Sequence, residues 1–546
     1  MPRDVMDKQP QAAAEVGPAR SGSAGFDVRG KHVYLIGIGG SGMSGLARLL
    51  ASRGAAVSGS DRERSDLTDE LASRGVAVSY DQSTQTLPEV CDLVVASAAV
   101  RPDHPQMLAA TARGLPALTY AEALGRCMIG RTGIGVAGTH GKSSTVAMLG
   151  YTLIQSGLEP SVIVGATCAQ LGDPVMGVGS CAFSAERIPD GSAGVRGSVA
   201  GGARGNAGFR IGADVIPIGA MKGRPGVLVA ESCEFNRSFH NLHPTLGVIL
   251  NVEADHLDVY GSLDAVVEAF RDFARLLPPA SEGPGGGWLL IGHEGAHRRE
   301  VTAGVHAKIE TIGFSPEADW VVSFDAATRS VALKHHGKHA ASWTLRVPGL
   351  HMAYNSAVAM AVTLHLGADA ARAAAAMENF RGVDRRMQYL GEKNPGGIAR
   401  SGVRVYDDYG HHPTEIDATL RALREFERPE DRGGRLVCVF QPHQHSRTRF
   451  LLEEFAQSFS KADIVIVPHI YFVRDSEIEK QKVSASDLVD RLRQRGVQAM
   501  HRYPFEAIVE QLQNVCRPGD LLVVMGAGPV WQVAKGYLEA GGMFGK

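Results

Sequence analysis

Seven cysteines in 546 residues, odd in number and without a C-x-x-C pair, give no basis for a disulfide framework or a cysteine-ligated zinc site. Cys91, Cys127, Cys168, Cys181, Cys233, Cys438 and Cys516 are scattered, which points to a reducing, cytoplasmic setting. No run reaches the roughly 18 apolar residues that a membrane span requires. The first thirty residues are polar, rich in Ala, Gly and Ser, and lack the apolar core of a signal peptide. A net charge of −2 argues against a nucleic-acid binder or a protein held to an anionic membrane. What remains is an ordinary globular composition, 44% hydrophobic and 21% charged. The chain is too long for one core, and the length prior is about three or four domains.

Two nucleotide signatures stand out. The first is Gly138-Thr139-His140-Gly141-Lys142-Ser143-Ser144-Thr145, which follows the apolar run 133–137 and leads into a helical pattern. Small residues let backbone N–H groups close on a phosphate, and a helix N-terminus adds favourable partial charge. Lys142 is placed to neutralise outer phosphates, and Ser143 or Ser144 to offer a hydroxyl to Mg²⁺. The spacing departs from G-x-x-x-x-G-K-[ST], because position 136 is valine and the nearest glycines are Gly135 and Gly138. The second signature is Gly37-Ile38-Gly39-Gly40-Ser41-Gly42 after the apolar run 32–36, with a helical pattern and then a strand ending in Asp61. Strand, G-x-G-x-x-G, helix, strand, acid is the Rossmann fingerprint. Its plain reading is an NAD-dependent oxidoreductase.

The expected fold class is α/β, in three successive domains. Residues 1–30 read as a disordered tail, and 31–126 as a Rossmann-like domain of alternating strands and helices. Residues 127–382 read as a central P-loop-like ATPase domain, interrupted at about 172–208 by an exposed insertion dense in Gly, Ser and Ala. Residues 383–546 restart the pattern as a second Rossmann-like unit, with strands expected at 403–406, 436–440, 464–467 and 521–525. Glu231, after the strand 227–230, and His256, after the strand 246–250, both fall at carboxyl ends of strands in the block that carries the phosphate loop. A carboxylate suits Mg²⁺, whereas imidazole is a less usual ligand for so hard an ion, and a single histidine there reads more readily as structural.

Taken together, the phosphate loop, Asn251-Val252-Glu253-Ala254-Asp255-His256-Leu257-Asp258 and Phe380-Arg381-Gly382-Val383-Asp384-Arg385-Arg386 resemble the Mur ligases of peptidoglycan synthesis. Asp407-Asp408-Tyr409-Gly410-His411-His412-Pro413, Gln441-Pro442-His443, Ser446-Arg447-Thr448 and the N-terminal glycines resemble the alanine-adding branch of that family. The match runs from about residue 31 to the C-terminus. The resemblance implies that the N-terminal glycines hold a UDP-sugar and not NAD. It implies an ATP-dependent reaction in which the lactyl carboxylate of UDP-N-acetylmuramate is phosphorylated and the acyl phosphate is then attacked by the amine of L-alanine. Two alternatives stay open: addition of a preformed murein peptide to the same sugar, and the oxidoreductase, which leaves the phosphate loop and third domain without a use.

Carried over to these positions, the resemblance places Gly37, Gly39, Gly40, Ser41, Gly42, Asp61 and Ser97 at the UDP-sugar. Gly138, Thr139, His140, Gly141, Lys142, Ser143, Ser144, Asn355, Arg385 and Arg386 fall at ATP. Ser143, Ser144, Glu231 and His256 serve the metal, while Tyr409, His411, His412 and Arg447 meet the amino acid. Lys142, Glu231, His256, His411 and Arg447 are the expected catalytic set. The partners are small molecules, with no nucleic acid, no membrane insertion and a monomeric or weakly homo-oligomeric state. Three departures from the family pattern stand out: Glu231-Ser232-Cys233-Glu234-Phe235-Asn236 for Glu-Ala-Asp-Glu-Ser-Asp, Gln444-His445 for Arg-Tyr, and Met352 for asparagine.

Overall fold

Strands whose residues are nearly all buried need cover on both faces, and three sheets with such central strands succeed one another along the chain. The computed structural model describes residues 26–172, 208–281, 286–394, 402–473 and 475–540. The expected tail as far as residue 25, and residues 173–207 of the expected insertion, lie outside them.

The first sheet is five-stranded and parallel: β1 (His32–Ile36), β2 (Ala56–Ser60), β3 (Ala77–Ser79), β4 (Leu93–Ala96) and β5 (Ala117–Thr119), in the order β3-β2-β1-β4-β5. The order reverses at β1, so the glycine loop that follows β1 sits at the switch point where open α/β sheets bind ligands.

The second sheet has ten strands: β6 (Thr132–Ala137), β7 (Ser161–Ile163), β8 (Phe209–Arg210), β9 (Val227–Glu231), β10 (Leu246–Ile249), β11 (Trp288–Gly292), β12 (Lys308–Gly313), β13 (Trp320–Asp325), β14 (Ser330–His335) and β15 (Lys338–Thr344). Their order is β15-β14-β13-β12-β11-β10-β6-β9-β7-β8. β6 is buried at every residue and lies between β9 and β10, parallel to both. Register then fixes the site: Glu231 pairs with Val136, and Ile249 with Ala137, so the residues after β9 and β10 flank the phosphate loop. The edge β13–β15 is an antiparallel meander for which the sequence reading has no expectation.

The third sheet, β16 (Gln388–Lys393), β17 (Val403–Asp408), β18 (Leu436–Phe440), β19 (Ile464–Val467), β20 (Gln498–His501) and β21 (Leu521–Met525), runs β16-β17-β21-β18-β19-β20. Only β16 is antiparallel to its neighbour. One buried core joins the first sheet to a face of the second, and another joins the opposite face to the third. Among the described residues no helix is long and apolar enough to cross a membrane.

Candidate active site

Three helices begin at glycine N-caps with no side-chain cap: Ser41–Ser52 after Gly40, Lys142–Gln155 after Gly141, and Leu350–His365 after Gly349. First-turn N–H groups left without a side-chain partner at a positive helix end suit an anion, and the first two of these helices directly follow the glycine loops after β1 and β6. In the phosphate loop, Gly138 and Gly141 have φ of +147° and +85°. A Cβ on Gly141 would lie 2.7 Å from Asn355 Oδ1, so glycine is needed for both the turn and the approach. The loop is zipped to the segment after β10. His140 N donates to Asn251 Oδ1 at 2.8 Å, Asn251 Nδ2 donates to His140 O at 3.2 Å, and Glu253 N donates to Thr139 Oγ1 at 2.9 Å. Asn251 thus holds the loop's shape.

Lys142 folds back over its own loop. Its ammonium donates to Gly138 O at 2.5 Å and Thr139 O at 3.2 Å, and reaches Glu234 Oε2 at 2.8 Å. Burial alone would drain its charge, but the buried Glu234 carboxylate more than compensates and raises the lysine above its ordinary value. Glu234, three residues after Glu231, is a site residue that the sequence reading passes over. Glu231 itself turns toward the first domain: its Oε1 accepts from Gly165 N at 2.8 Å, while Gly165 O accepts from Ser41 Oγ at 3.2 Å. Gly165 therefore links the N-terminal glycine loop to the strand end beside the phosphate loop through its own N–H and C=O.

Around the N-terminal loop, Asp61 Oδ2 accepts from Gly39 N at 2.7 Å, and a Cβ on Gly39 would come within 2.9 Å of that oxygen. A Cβ on Gly37 would meet Ser97 Cβ at 2.9 Å, and one on Gly42 the Tyr120 hydroxyl at 2.8 Å. Asp61 and Ser97 thus pack against the glycines, and Asp61 braces the turn.

The wall facing the phosphate loop comes from the third domain. His140 lies between two carboxylates, with Nε2 3.4 Å from Glu253 Oε2 and Nδ1 3.3 Å from Glu415 Oε1. Burial opposes its charge, but the two carboxylates win and raise it to about 9. His140 is therefore charged at neutral pH, so Lys142 is not the loop's only cation. Glu415 also caps its helix by accepting from His412 N at 3.3 Å, and takes a second bond from His411 N at 3.0 Å. His412 opens that helix; its ring lies 4.5 Å from that of His140 and its Nε2 is 3.2 Å from Ala254 O. Burial keeps His412 below its ordinary value and takes His411 down to about 4, so both are neutral.

Arg447 crosses the domain boundary. Its Nε and Nη2 both donate to Asp255 Oδ1, at 3.0 and 2.9 Å, and the pair is buried. Burial would raise the Asp255 carboxyl, but the guanidinium holds it well below the usual carboxylate range. Nη2 also faces His256 Nδ1 at 3.4 Å, while His256 Nε2 lies 3.9 Å from Glu234 Oε1. His256 is thus engaged at one nitrogen, and burial lowers its basicity. Of the residues expected at the amino acid and at the metal, Arg447 and His256 are thus in contact, and Glu234 links them to Lys142.

The two arginines of the inter-domain linker part company. Arg386 lines a cavity of about 150 Å³ together with His140, Gly141, Ser144, Met352 and Asn355, and approaches Glu415 Oε1 at 3.8 Å. Arg385 turns into the third domain, donating to Asp407 Oδ2 at 3.2 Å and Gly526 O at 2.7 Å. Both guanidinium groups lie 5.0 Å from the Tyr409 ring. Asp408 ties this linker to the histidine loop by accepting from Met387 N and Gly410 N, each at 2.7 Å. Met352 is buried beside Asn355, whose Nδ2 lies 3.8 Å from its sulfur. Gln444, also buried, takes φ +68° ahead of the short helix that carries Arg447.

Family models match all three domains: "Mur ligase family, catalytic domain" over residues 32–132, "Mur ligase middle domain" over 220–363, and "Mur ligase, glutamate ligase domain" over 385–528. A UDP-N-acetylmuramate–L-alanine ligase of Agathobacter rectalis is 35% identical over 93% of this chain and 98% of its own length. The chain belongs to the Mur ligase family. A second relative of the same description, from Lachnospira eligens, has the same identity and the same coverage. This Mur ligase also shares its fold with a solved UDP-N-acetylmuramate-alanine ligase of Thermotoga maritima, at TM-score 0.68 and 23% identity, covering 93% of this chain and 98% of that one. A murein peptide ligase of Psychrobacter arcticus fits almost as well, at TM-score 0.66 and 22% identity, covering 95% of this chain and all of that one. At such identities the likeness speaks for the fold.

Proposed function

We infer that this Mur ligase joins L-alanine to the lactyl carboxylate of UDP-N-acetylmuramate, consuming ATP and releasing ADP and phosphate. The observation that carries the reading is the cavity in which phosphate-loop residues, Asn355 and the third domain's Arg386 and Glu415 meet. An ATP site walled by both domains brings the γ-phosphate up to whatever the third domain binds. In this reading the carboxylate attacks the γ-phosphorus, ADP departs, and the amine attacks the acyl carbon of the resulting mixed anhydride. Phosphate then leaves with the bridging oxygen. Charge neutralisation and alignment do most of the work in such transfers. Lys142, charged His140 and Arg386 supply the cations. Neutral His411 and His412 add no charge that would compete for the substrate carboxylates.

The oxygen donors Ser143, Ser144 and Glu231 suit Mg²⁺, with one Glu231 oxygen already oriented by Gly165 N. His256 fits a hard ion less well, since one nitrogen faces Arg447 and the other Glu234. A bound Mg²⁺ would neutralise phosphate oxygens beside the loop.

Lactyl carboxylate labelled with ¹⁸O tests the sequence of steps. One labelled oxygen should appear in inorganic phosphate per turnover; unlabelled phosphate would rule out the acyl phosphate.

A further inference from the structure

A second cluster of metal-type ligands lies outside the active site, three strands from β6 across the central sheet. Glu310 in β12 is 2% exposed, an unusual fate for a carboxylate in the middle of a strand. His335, at the end of β14, and His336, in the turn that follows, face it: His335 Nε2 is 3.4 Å from Glu310 Oε2, and His336 Nε2 is 3.9 Å from Oε1. One ligand atom from each residue falls within 4.8 Å of the other two. Glu310 Oε1 and His335 Nε2 are both buried, the former met by the Lys308 ammonium and the latter by Glu310 itself.

We propose that Glu310, His335 and His336 form a binding site for a divalent cation of borderline softness, zinc foremost. Two imidazoles and a carboxylate are the donor set for such ions and not for Mg²⁺. Each ligand also has a partner that orients it, as ligands of bound metals do. Trp320 Nε1 donates to Glu310 Oε2 at 2.7 Å, and the Trp320 ring stacks on His335 with centroids 3.8 Å apart. Asp319 Oδ1 stands 3.7 Å from His336 Nδ1, while its Oδ2 is fixed by Thr311 N and Oγ1 at 2.8 and 2.9 Å. Carboxylate, histidine and metal would thus stand in the usual outer-to-inner order. The exposed His336 side leaves a further coordination position to water.

The Lys308 ammonium, 2.7 Å from Glu310 Oε1, is the competing cation. Its side chain is 61% exposed, so it can swing into solvent when a dication takes its place. Bound metal would fasten the β14–β15 turn to β12, pinning the edge meander.

The full-length protein, stripped of metal, is titrated with Zn²⁺ and with Co²⁺ while Mg²⁺ is in large excess. Co²⁺ bound here should give the visible absorption of a low-coordinate nitrogen and oxygen site. His336 has φ +47°, which asparagine tolerates, so His336→Asn should fold. His336→Asn and Glu310→Gln should each weaken the site by roughly tenfold or more. Lys308→Ala removes no ligand and should bind up to about fivefold tighter; it keeps the test decisive where a ligand variant is unstable. Equal affinity and stoichiometry in wild type, His336→Asn and Lys308→Ala would overturn the proposal. So would loss of binding only when His412, of the active-site group His140, Glu253 and His412, is changed.

Discussion

His140 ties the phosphate loop to the third domain through charge, and pH is the direct perturbation. An imidazole raised from its ordinary 6.5 to about 9 carries about 3 kcal/mol of preference for the charged form. The carboxylates responsible come from two domains, Glu253 at 3.4 Å and Glu415 at 3.3 Å. Facing the same group are the neutral His412 ring and Arg386, the latter through its 3.8 Å approach to Glu415. Because the folded value lies above the unfolded one, this stabilisation is fully present below pH 6.5 and is lost as pH rises through about 9. The docking of the third domain on the phosphate loop should weaken over that window. Selective ¹³C labelling of histidine rings reports the titration, and denaturant unfolding at pH 6.5, 8 and 9.5 reports the stability. His140→Gln should abolish the pH dependence while lowering stability at pH 6.5 most. A His140 resonance titrating at or below 6.5, or identical pH profiles for wild type and His140→Gln, would refute the reasoning.

Lys142→Ala should cost on the order of 10²–10³ in turnover through lost charge stabilisation, and near-normal turnover at saturating ATP would remove it from the mechanism. Gly39→Val would drive a side chain into Asp61 and Thr68, which lie 2.9 and 2.8 Å from a Cβ there. Calorimetry should show weaker UDP-sugar binding with ATP binding nearly unchanged. Gln444→Arg should lower the KM for L-alanine by restoring a charge, whereas Arg447→Lys should raise it sharply and leave that for ATP alone; no change in either would take these residues out of the amino-acid site. Asp255→Ala strands the buried Arg447 guanidinium, a change typically costing about 3–5 kcal/mol, and wild-type stability in that variant would show that the inter-domain pair carries nothing.

Both glycine loops are legible in sequence because strand, glycine turn and helix are contiguous. Glu231 is legible as the end of an apolar strand, whereas His256 lies seven residues beyond β10, at the start of the short helix Leu257–Tyr260. What sequence conceals is pairing at a distance. Glu234 follows Glu231 in an irregular turn where Asn236 and Arg237 take positive φ, so no period marks it, and its partner Lys142 lies 92 residues away. The charge on His140 depends on Glu253 and on Glu415 from another domain, and the orientation of Arg447 on Asp255, 192 residues distant. Adjacent Arg385 and Arg386 look equivalent in sequence. The positive φ at Arg385 helps turn one into the third domain and the other toward the cavity.

In the proposed reaction one amino acid, and no preformed peptide, is the acceptor of the activated carboxylate. Phosphate release measured with ATP, Mg²⁺ and UDP-N-acetylmuramate, adding L-alanine, glycine, L-serine or a murein tripeptide in turn, tests it directly. Release should be rapid with L-alanine, slower with the other amino acids and not above background with the peptide. Release driven by the peptide and indifferent to L-alanine would contradict the proposed reaction.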